Sequence, residues 1–140
     1  MRALLTAAVL AAGVLAPALV PVPAAQATPV SPAPPYIERA VWAKWGDLSS
    51  LRVYPTASAR RISGHAGTQP LAEAAWVEVL ALSPDAAIPG MREQFMCHWN
   101  FAEFAQPGKT SWNLEPWRPE VGPDEMMATR CNPGGTEEPF

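Results

Sequence analysis

The chain has 140 residues, 49% of them hydrophobic and 17 of them proline, and its formal net charge is −3 at pH 7. A mildly acidic chain without a run of lysines or arginines lacks the charge pattern of a nucleic-acid-binding protein. It also lacks the basic patch that draws peripheral proteins to anionic membranes. We therefore expect no nucleic-acid partner, and the length suits a single small domain.

The first 27 residues are typical of an export signal. Arg2 supplies a positive start, residues 3–20 form an uncharged apolar stretch, and Ala25-Gln26-Ala27 places small residues where a signal peptidase needs them. We expect cleavage after Ala27 and a secreted or cell-envelope location. An uncleaved signal anchor is the alternative. No second apolar span follows, so no transmembrane segment is expected after cleavage.

The predicted domain covers residues 36–133. A proline-rich spacer over residues 28–35 precedes it, and a flexible tail over residues 134–140 follows it. The spacer has no core-forming pattern, and its prolines favour an extended, mobile segment.

A β-hairpin is predicted at the start of the domain. Residues 36–45 alternate in polarity, with Ile37 and Val41 on the more apolar face. Gly46-Asp47 is a turn signal, and a second short strand follows over residues 51–54.

The next segments are a predicted loop over residues 56–69 and a predicted helix over residues 68–82. Thr68 can cap this helix, and Pro70 suits its first turn. A strand around residues 77–79 is the alternative. The helix would bury a stripe formed by Leu71, Ala75, Val79 and Leu82.

A second hairpin is predicted from two further alternating segments, residues 92–104 and residues 111–118. Pro107-Gly108 between them is a turn signal. Pro123 can then open a short C-terminal helix that runs to Arg130.

The two cysteines, Cys97 and Cys131, are expected to form a disulfide, because an even count in an exported protein favours pairing. Two separate buried thiols are the alternative. Together with His65 and His98, the cysteines lack any compact ligand spacing, so we expect no metal site and no cofactor.

A polar face on the second hairpin is the candidate binding site. Pairing the apolar faces of its two strands gathers the remaining side chains on the other face, with Asn100 opposite Glu115. These side chains are His98, Asn100, Asn113, Glu115 and Trp117. A His and a Glu within reach can act as general acid and base, but no nucleophile motif accompanies them. The alternative is a polar pair on a wet sheet face without a ligand.

Several runs resemble the domain-of-unknown-function family 2599 of exported actinobacterial proteins. They are residues 45–55 (WGDLSSLRVYP), Cys97-His98, residues 112–119 (WNLEPWRP) and Cys131-Asn132-Pro133. The resemblance implies export and a domain over about residues 36–133. It implies no activity and no site residues.

The sequence therefore predicts an α+β domain of two antiparallel hairpins, a central helix, a short C-terminal helix and one disulfide. Its function is unknown from the residues alone. We expect a secreted, non-catalytic binding or interaction module at the cell envelope, with a cell-wall glycan or an envelope protein as partner. The alternatives are a small secreted hydrolase that uses His98 and Glu115, and a secreted protein inhibitor that presents the loop over residues 56–69.

Overall fold

A three-stranded antiparallel sheet and four α-helices form the part of the chain that the structure, a computed structural model, describes, residues 32–136. In chain order the elements are β1 (Ile37–Trp45), β2 (Leu48–Pro55), α1 (Ala57–Ile62), α2 (Gln69–Leu82), a 3-10 helix (Pro84–Ala86), α3 (Met91–Ala105), β3 (Trp112–Leu114) and α4 (Pro123–Ala128). The sheet order is β1-β2-β3, and the α+β class is confirmed. The predicted signal segment, the first half of the spacer (residues 28–31) and residues 137–140 lie outside the described residues.

Strands β1 and β2 form the first predicted hairpin. Trp45 pairs with Leu48, which leaves Gly46-Asp47 as a two-residue turn. Gly46 has a φ of +57°, in the left-handed region that tight hairpin turns use and that glycine enters without steric cost.

A β-bulge changes which face of β1 points inward. The register against β2 shifts between Ile37 and Arg39, so that Glu38 is an extra residue in the ladder. An extra residue exchanges the two faces of a strand. Ile37 is therefore buried, but beyond the bulge Trp42 packs on the core and Val41 is exposed. The predicted shared face of Ile37 and Val41 is wrong for this reason.

Helix α1 occupies part of the segment that was predicted to be a loop. Thr56 caps it, since its side chain accepts a hydrogen bond from the backbone N–H of Ala59 at 3.2 Å. Ala59 and Ile62 are buried against the core. The loop prediction over residues 56–69 is therefore wrong for α1.

Helix α2 confirms the predicted central helix and begins directly after Thr68. Its buried side chains differ from the predicted stripe. They are Ala72, Ala75, Trp76 and Val79, whereas Leu82 is exposed. The buried face of α2 therefore includes the large indole of Trp76, which the predicted stripe left out.

The second hairpin is wrong, because residues 91–105 form helix α3. Besides Met96 and Cys97, the buried positions of α3 are Met91, Gln94, Phe95, His98, Trp99 and Ala102, and the spacing of these six by three and four residues is helical. Two of the six are polar, which weakened the helical pattern relative to the alternation. Strand β3 pairs with β2 instead, with Leu114 opposite Leu51 and Trp112 opposite Val53.

Aromatic side chains fill the core between the sheet and α3. Phe95 lies 5.5 to 6.3 Å, centroid to centroid, from the rings of Trp76, Trp99 and Trp112. Tyr36 adds an edge contact to Trp99 at 6.0 Å. Offset and edge contacts of this kind add to the stability that burial of large rings gives.

Helix α4 confirms the predicted short C-terminal helix, and the predicted disulfide fastens it to α3. Cys97 and Cys131 are bonded, with their Cα atoms 5.6 Å apart and 34 residues between them in numbering. Both cysteines pack with Met126 in a small second core. Among the described helices none is long and apolar enough to cross a membrane.

Candidate functional site

A buried ion pair lies where β3 ends. The side chains of Glu115 and Arg118 are both 0% exposed, and Arg118 Nε donates to Glu115 Oε2 at 2.7 Å. The other carboxylate oxygen, Oε1, accepts from the hydroxyl of Ser50 on β2 at 2.9 Å. Both oxygens of the carboxylate are therefore satisfied within the protein, as a buried charge requires.

The side chain of Gln94 extends the sheet from α3. Its Oε1 accepts from the backbone N–H of Glu115 at 2.9 Å, and its Nε2 donates to the carbonyl of Glu115 at 2.9 Å. The amide thus pairs with Glu115 as a neighbouring strand would. We call Ser50, Gln94, Glu115 and Arg118 the polar hub.

The guanidinium of Arg118 also holds the C-terminal segment. Nη1 donates to the carbonyls of Pro133 at 3.1 Å and Gly135 at 2.9 Å, and Nη2 donates to that of Thr136 at 3.2 Å. The guanidinium lies 4.5 Å from the ring centroid of Trp117, within cation–π range. The hub therefore joins the sheet, α3 and the end of the described chain.

His98 lies beside the hub with its proton position fixed. Its Nε2 is 3.0 Å from the carbonyl oxygen of Asn113. A carbonyl only accepts hydrogen bonds, so Nε2 is the donor and carries the proton in this contact. The side chain of Asn113 accepts from Ser111 Oγ at 2.7 Å.

The structure brings together only part of the predicted polar face. His98, Asn113 and Glu115 are buried side by side around β3, whereas Trp117 is half-buried and Asn100 is exposed on α3. Asn113 and Glu115, 3% and 0% exposed, therefore lie where a ligand would reach them only after the fold opens, whereas His98, 5% exposed, lines a cavity described below. A binding role for all five stays a prediction.

The expected pair of Asn100 and Glu115 is absent. Within residues 32–136 the hydrogen-bond partners of Glu115 are Ser50, Gln94 and Arg118. Gln94 takes the place predicted for Asn100, because in a helix these two residues point in different directions.

Two adjoining cavities form an open groove between α3 and α4. Their volumes are about 600 Å³ and about 270 Å³, and they share Cys97, Phe101 and Met127. Phe104, which is 88% exposed, lines the wider cavity, and Phe101 and Met127 are also exposed. We call this channel the α3–α4 groove. Exposed apolar side chains around a concave surface mark a binding site.

Cations line the wider cavity of the groove. Lys109 and Arg130 contribute to its wall, together with His98 and Asn132. Among the described residues that line it there is no aspartate or glutamate. Elsewhere in residues 32–136, too, no three His, Cys, Asp or Glu side chains gather in a way that could hold a metal ion.

The groove residues are not evident from the sequence when residues 92–104 are assigned to a strand, because in the structure they lie on helix α3. With a helical period, Phe101 and Phe104 are three residues apart and share one face. They would then form an apolar surface beyond the stripe that enters the core. Met127 and Arg130 carry no local signal that would have placed them opposite α3.

Comparison with known proteins gives relatives without an assigned activity. The family of proteins of unknown function DUF2599 matches residues 37–134. Uncharacterized proteins of Mycobacterium tuberculosis and Mycobacterium bovis are each 57% identical to the chain over 107 residues, which is 76% of this chain and 72% of the relative. An uncharacterized protein of Mycobacterium leprae is 43% identical over 106 residues, 74% of this chain and 83% of the relative. No solved structure matches the chain.

Proposed function

We propose that the chain, which belongs to the DUF2599 family of proteins of unknown function, is a secreted, non-catalytic binding module of the cell envelope. The observation that carries the proposal is the α3–α4 groove with its exposed aromatic wall. Phe101, Phe104 and Met127 are held apart from the core, although their burial would stabilise the fold.

The polar residues support binding without catalysis. The carboxylate of Glu115 is fully buried and occupied by Ser50 and Arg118, and His98 Nε2 is used by a backbone carbonyl. A general acid and base must reach a substrate. The hydrolase that uses His98 and Glu115 is therefore the weaker proposal.

The inhibitor alternative is also weaker. It needs an exposed, rigid loop over residues 56–69, and helix α1 with its buried Ala59 and Ile62 occupies the first half of that segment.

Export of the protein is supported by two features. Residues 1–27 have the pattern of a signal peptide, and the disulfide between Cys97 and Cys131 suits an oxidising compartment. Culture-filtrate protein should begin at Thr28 in N-terminal sequencing. A chain that begins at Met1 in the membrane fraction would favour a signal anchor.

A thermal-shift screen of the mature, oxidised protein tests the binding function. The panel contains cell-wall glycans, lipids and peptides. A ligand that binds only the native state stabilises it by mass action and so raises the melting temperature. At a free ligand concentration of a hundred times the Kd, the gain in unfolding free energy is about 2.7 kcal/mol. We expect a shift with one class, its loss in Phe101→Asp, and its retention in Val77→Asp, a matched variant of an exposed residue on α2. A shift that Phe101→Asp leaves intact would contradict the groove as the site.

A further inference from the structure

We propose that the ligand of the α3–α4 groove is a single-chain amphiphile with an anionic head, a proposal that rests on the binding function above. The hydrocarbon chain lies against Phe101, Phe104 and Met127, and the head lies at Arg130.

The shape and lining of the groove fit a hydrocarbon chain. The two cavities adjoin at Phe101 and Met127, which line both, and the wider one, about 600 Å³, is within the usual range for small-ligand sites of about 300 to 1,000 Å³. Ala102 and Ala105 leave room along α3 between the aromatic rings. Met127 is unbranched and adapts to ligands of different shape.

The charges of the groove fit an anionic head. Arg130, whose side chain is exposed, and Lys109 both line the wider cavity. This cationic wall belongs to a chain whose net charge is −3. In the narrower cavity Arg92 and Glu93 are both present, 3.6 Å apart, so that end is not cationic.

The backbone at Arg130 supports a role for its side chain. The N–H of Cys131 donates to the carbonyl of Met126 at 2.9 Å and that of Arg130 to Met127 at 3.0 Å, the two bonds of a Schellman motif that ends α4. Arg130 occupies the left-handed position of this motif, with a φ of +53°.

Glycine is the usual residue at that position, and an L-residue there costs about 1 to 2 kcal/mol. The neighbouring Cys131 is also left-handed, with a φ of +66°, but the disulfide accounts for its identity. Arg130 has no such structural reason, because its side chain is exposed. Strain of this kind is typical of functional positions.

An acidic peptide is an alternative negatively charged ligand for the α3–α4 groove. The lining of the groove fits the amphiphile better. A peptide brings polar backbone groups along its whole length, and these need hydrogen-bond partners. The shared part of the groove, at Phe101 and Met127, offers apolar side chains, and the cations lie in one of its two cavities.

The test titrates the mature, oxidised protein with three probes of equal chain length, all below their micelle concentrations. These are dodecanoate, dodecanol and dodecyltrimethylammonium. We expect saturable binding of dodecanoate at one site, measured by calorimetry, and binding of the cationic probe that is weaker by at least about tenfold. One hydrogen bond to a charged group is worth about that factor.

Arg130→Gly separates binding from folding. Glycine suits the left-handed backbone, so the melting temperature should stay the same or rise. Affinity for dodecanoate should fall by about tenfold, while affinity for dodecanol should not change. Arg61→Ala is the control for loss of a positive charge, since Arg61 is exposed on α1. Phe101→Asp should abolish binding of all three probes.

The outcomes distinguish this proposal from the binding function. Equal affinities for the three probes, or an Arg130→Gly variant that binds dodecanoate as well as the wild type, would overturn the anionic head and leave the groove as a binding site. If only an acidic peptide binds, and does so through Phe101, the ligand class is wrong and the function stands. If neither these probes nor any class in the screen binds, both proposals fail.

Discussion

Helix α3 buries two polar side chains beside its apolar ones and leaves two of its aromatic side chains exposed. Gln94 is 1% exposed and bonds to the end of β3, whereas Phe104 is 88% exposed over the α3–α4 groove. Gln94 and Phe104 both depart from the usual distribution, in which polar side chains are exposed and large apolar side chains are buried. The contrast teaches that a buried polar group needs a partner on the same molecule, and that an exposed apolar group with none indicates a partner elsewhere.

The two regions are therefore expected to differ in what they contribute. A buried ion pair such as Glu115–Arg118 fixes geometry more than it adds net stability, because desolvation offsets much of the attraction. Removing one partner is a different matter, because it leaves the other charge buried and uncompensated. Substitutions in the polar hub should destabilise the protein, and substitutions in the groove should leave its stability almost unchanged.

The largest effect is expected for Glu115→Ala. It leaves the guanidinium of Arg118 buried without its carboxylate, which should lower the free energy of unfolding by about 3 to 5 kcal/mol. Urea denaturation followed by circular dichroism measures this. Glu120→Ala, at an exposed glutamate close by, is the control and should change stability little. A cost of Glu115→Ala below about 1 kcal/mol would mean that the hub is not the rigid centre described above.

Loss of the disulfide should have the next largest effect, and it bears on both regions because the bond ties α3 to α4. The double variant Cys97→Ala/Cys131→Ala removes a cross-link between residues 34 apart. The chain-entropy account predicts a cost of about 3 to 4 kcal/mol. The same denaturation experiment measures it. Alkylation of both cysteines in the unreduced, unfolded wild-type protein would show that the bond does not form.

Gln94→Met tests the side chain that extends the sheet. Methionine has a similar shape but cannot pair with the backbone of Glu115, so a buried N–H and a buried carbonyl lose their partners. We expect a loss of about 2 kcal/mol in unfolding free energy. Gln106→Met, at an exposed glutamine just after α3, should change it little. Equal stability of the two variants would show that water replaces the amide.

The parts of the fold with local signals could be predicted from the sequence. Gly46-Asp47 gives the first hairpin its turn, Pro70 lies in the first turn of α2, and Pro123 opens α4, whereas the hydroxyl of Thr68 makes no capping hydrogen bond with α2. The disulfide could be predicted from two cysteines in a chain that is expected to be exported. In each case the residues that decide the structure are close in sequence or fixed by chemistry.

Helix α3 could not be predicted in the same way. Gln94 and His98 face inward because Glu115 and Asn113 supply partners from a distant segment. Without those partners, two polar residues on the inner face read as evidence against a helix. The bulge at Glu38 is similar, since a register shift leaves no mark in the polarity pattern.

The candidate site divides along the same line. The sequence indicated Glu115 as a candidate site residue. Its buried contacts with Arg118 and Ser50 could not be predicted, because these residues reach it only in the folded chain. In a strand over residues 92–104, Phe104 would share a face with His98 and Asn100, so only the helix places it on the groove.

Asp85, in the 3-10 helix after α2, is an exposed carboxylate whose protonation affects stability at low pH. The hydrogen bond from Ser83, with Trp42 behind it, lowers the pKa of Asp85 from its ordinary value of 3.8. The folded state then binds the proton less tightly than the unfolded state. The resulting stability is present above the unfolded pKa and is lost as the pH falls through the folded pKa.

Asp85→Asn should therefore lower stability near neutrality and make stability below about pH 4 less dependent on pH. Thermal melts from about pH 2 to 7 measure it, with Asp47→Asn in the hairpin turn as the control. A variant that loses more stability at pH 7 than at pH 3 would agree with the sign. The opposite order would contradict it.

The smallest effect is expected for Phe104→Ser, and a second phenylalanine on the same helix makes the comparison direct. Phe95 is fully buried among the core aromatics, whereas Phe104 is exposed. Phe95→Ser should cost at least about 3 kcal/mol, since a cavity and an unpaired hydroxyl replace the ring. Phe104→Ser should stay within about 0.5 kcal/mol of the wild type in unfolding free energy, yet weaken the ligand shift in the thermal screen. If Phe104→Ser instead destabilised the protein as much as Phe95→Ser does, the exposed ring of Phe104 would contribute to the stability of the fold. That result would contradict the proposal that the groove binds a ligand.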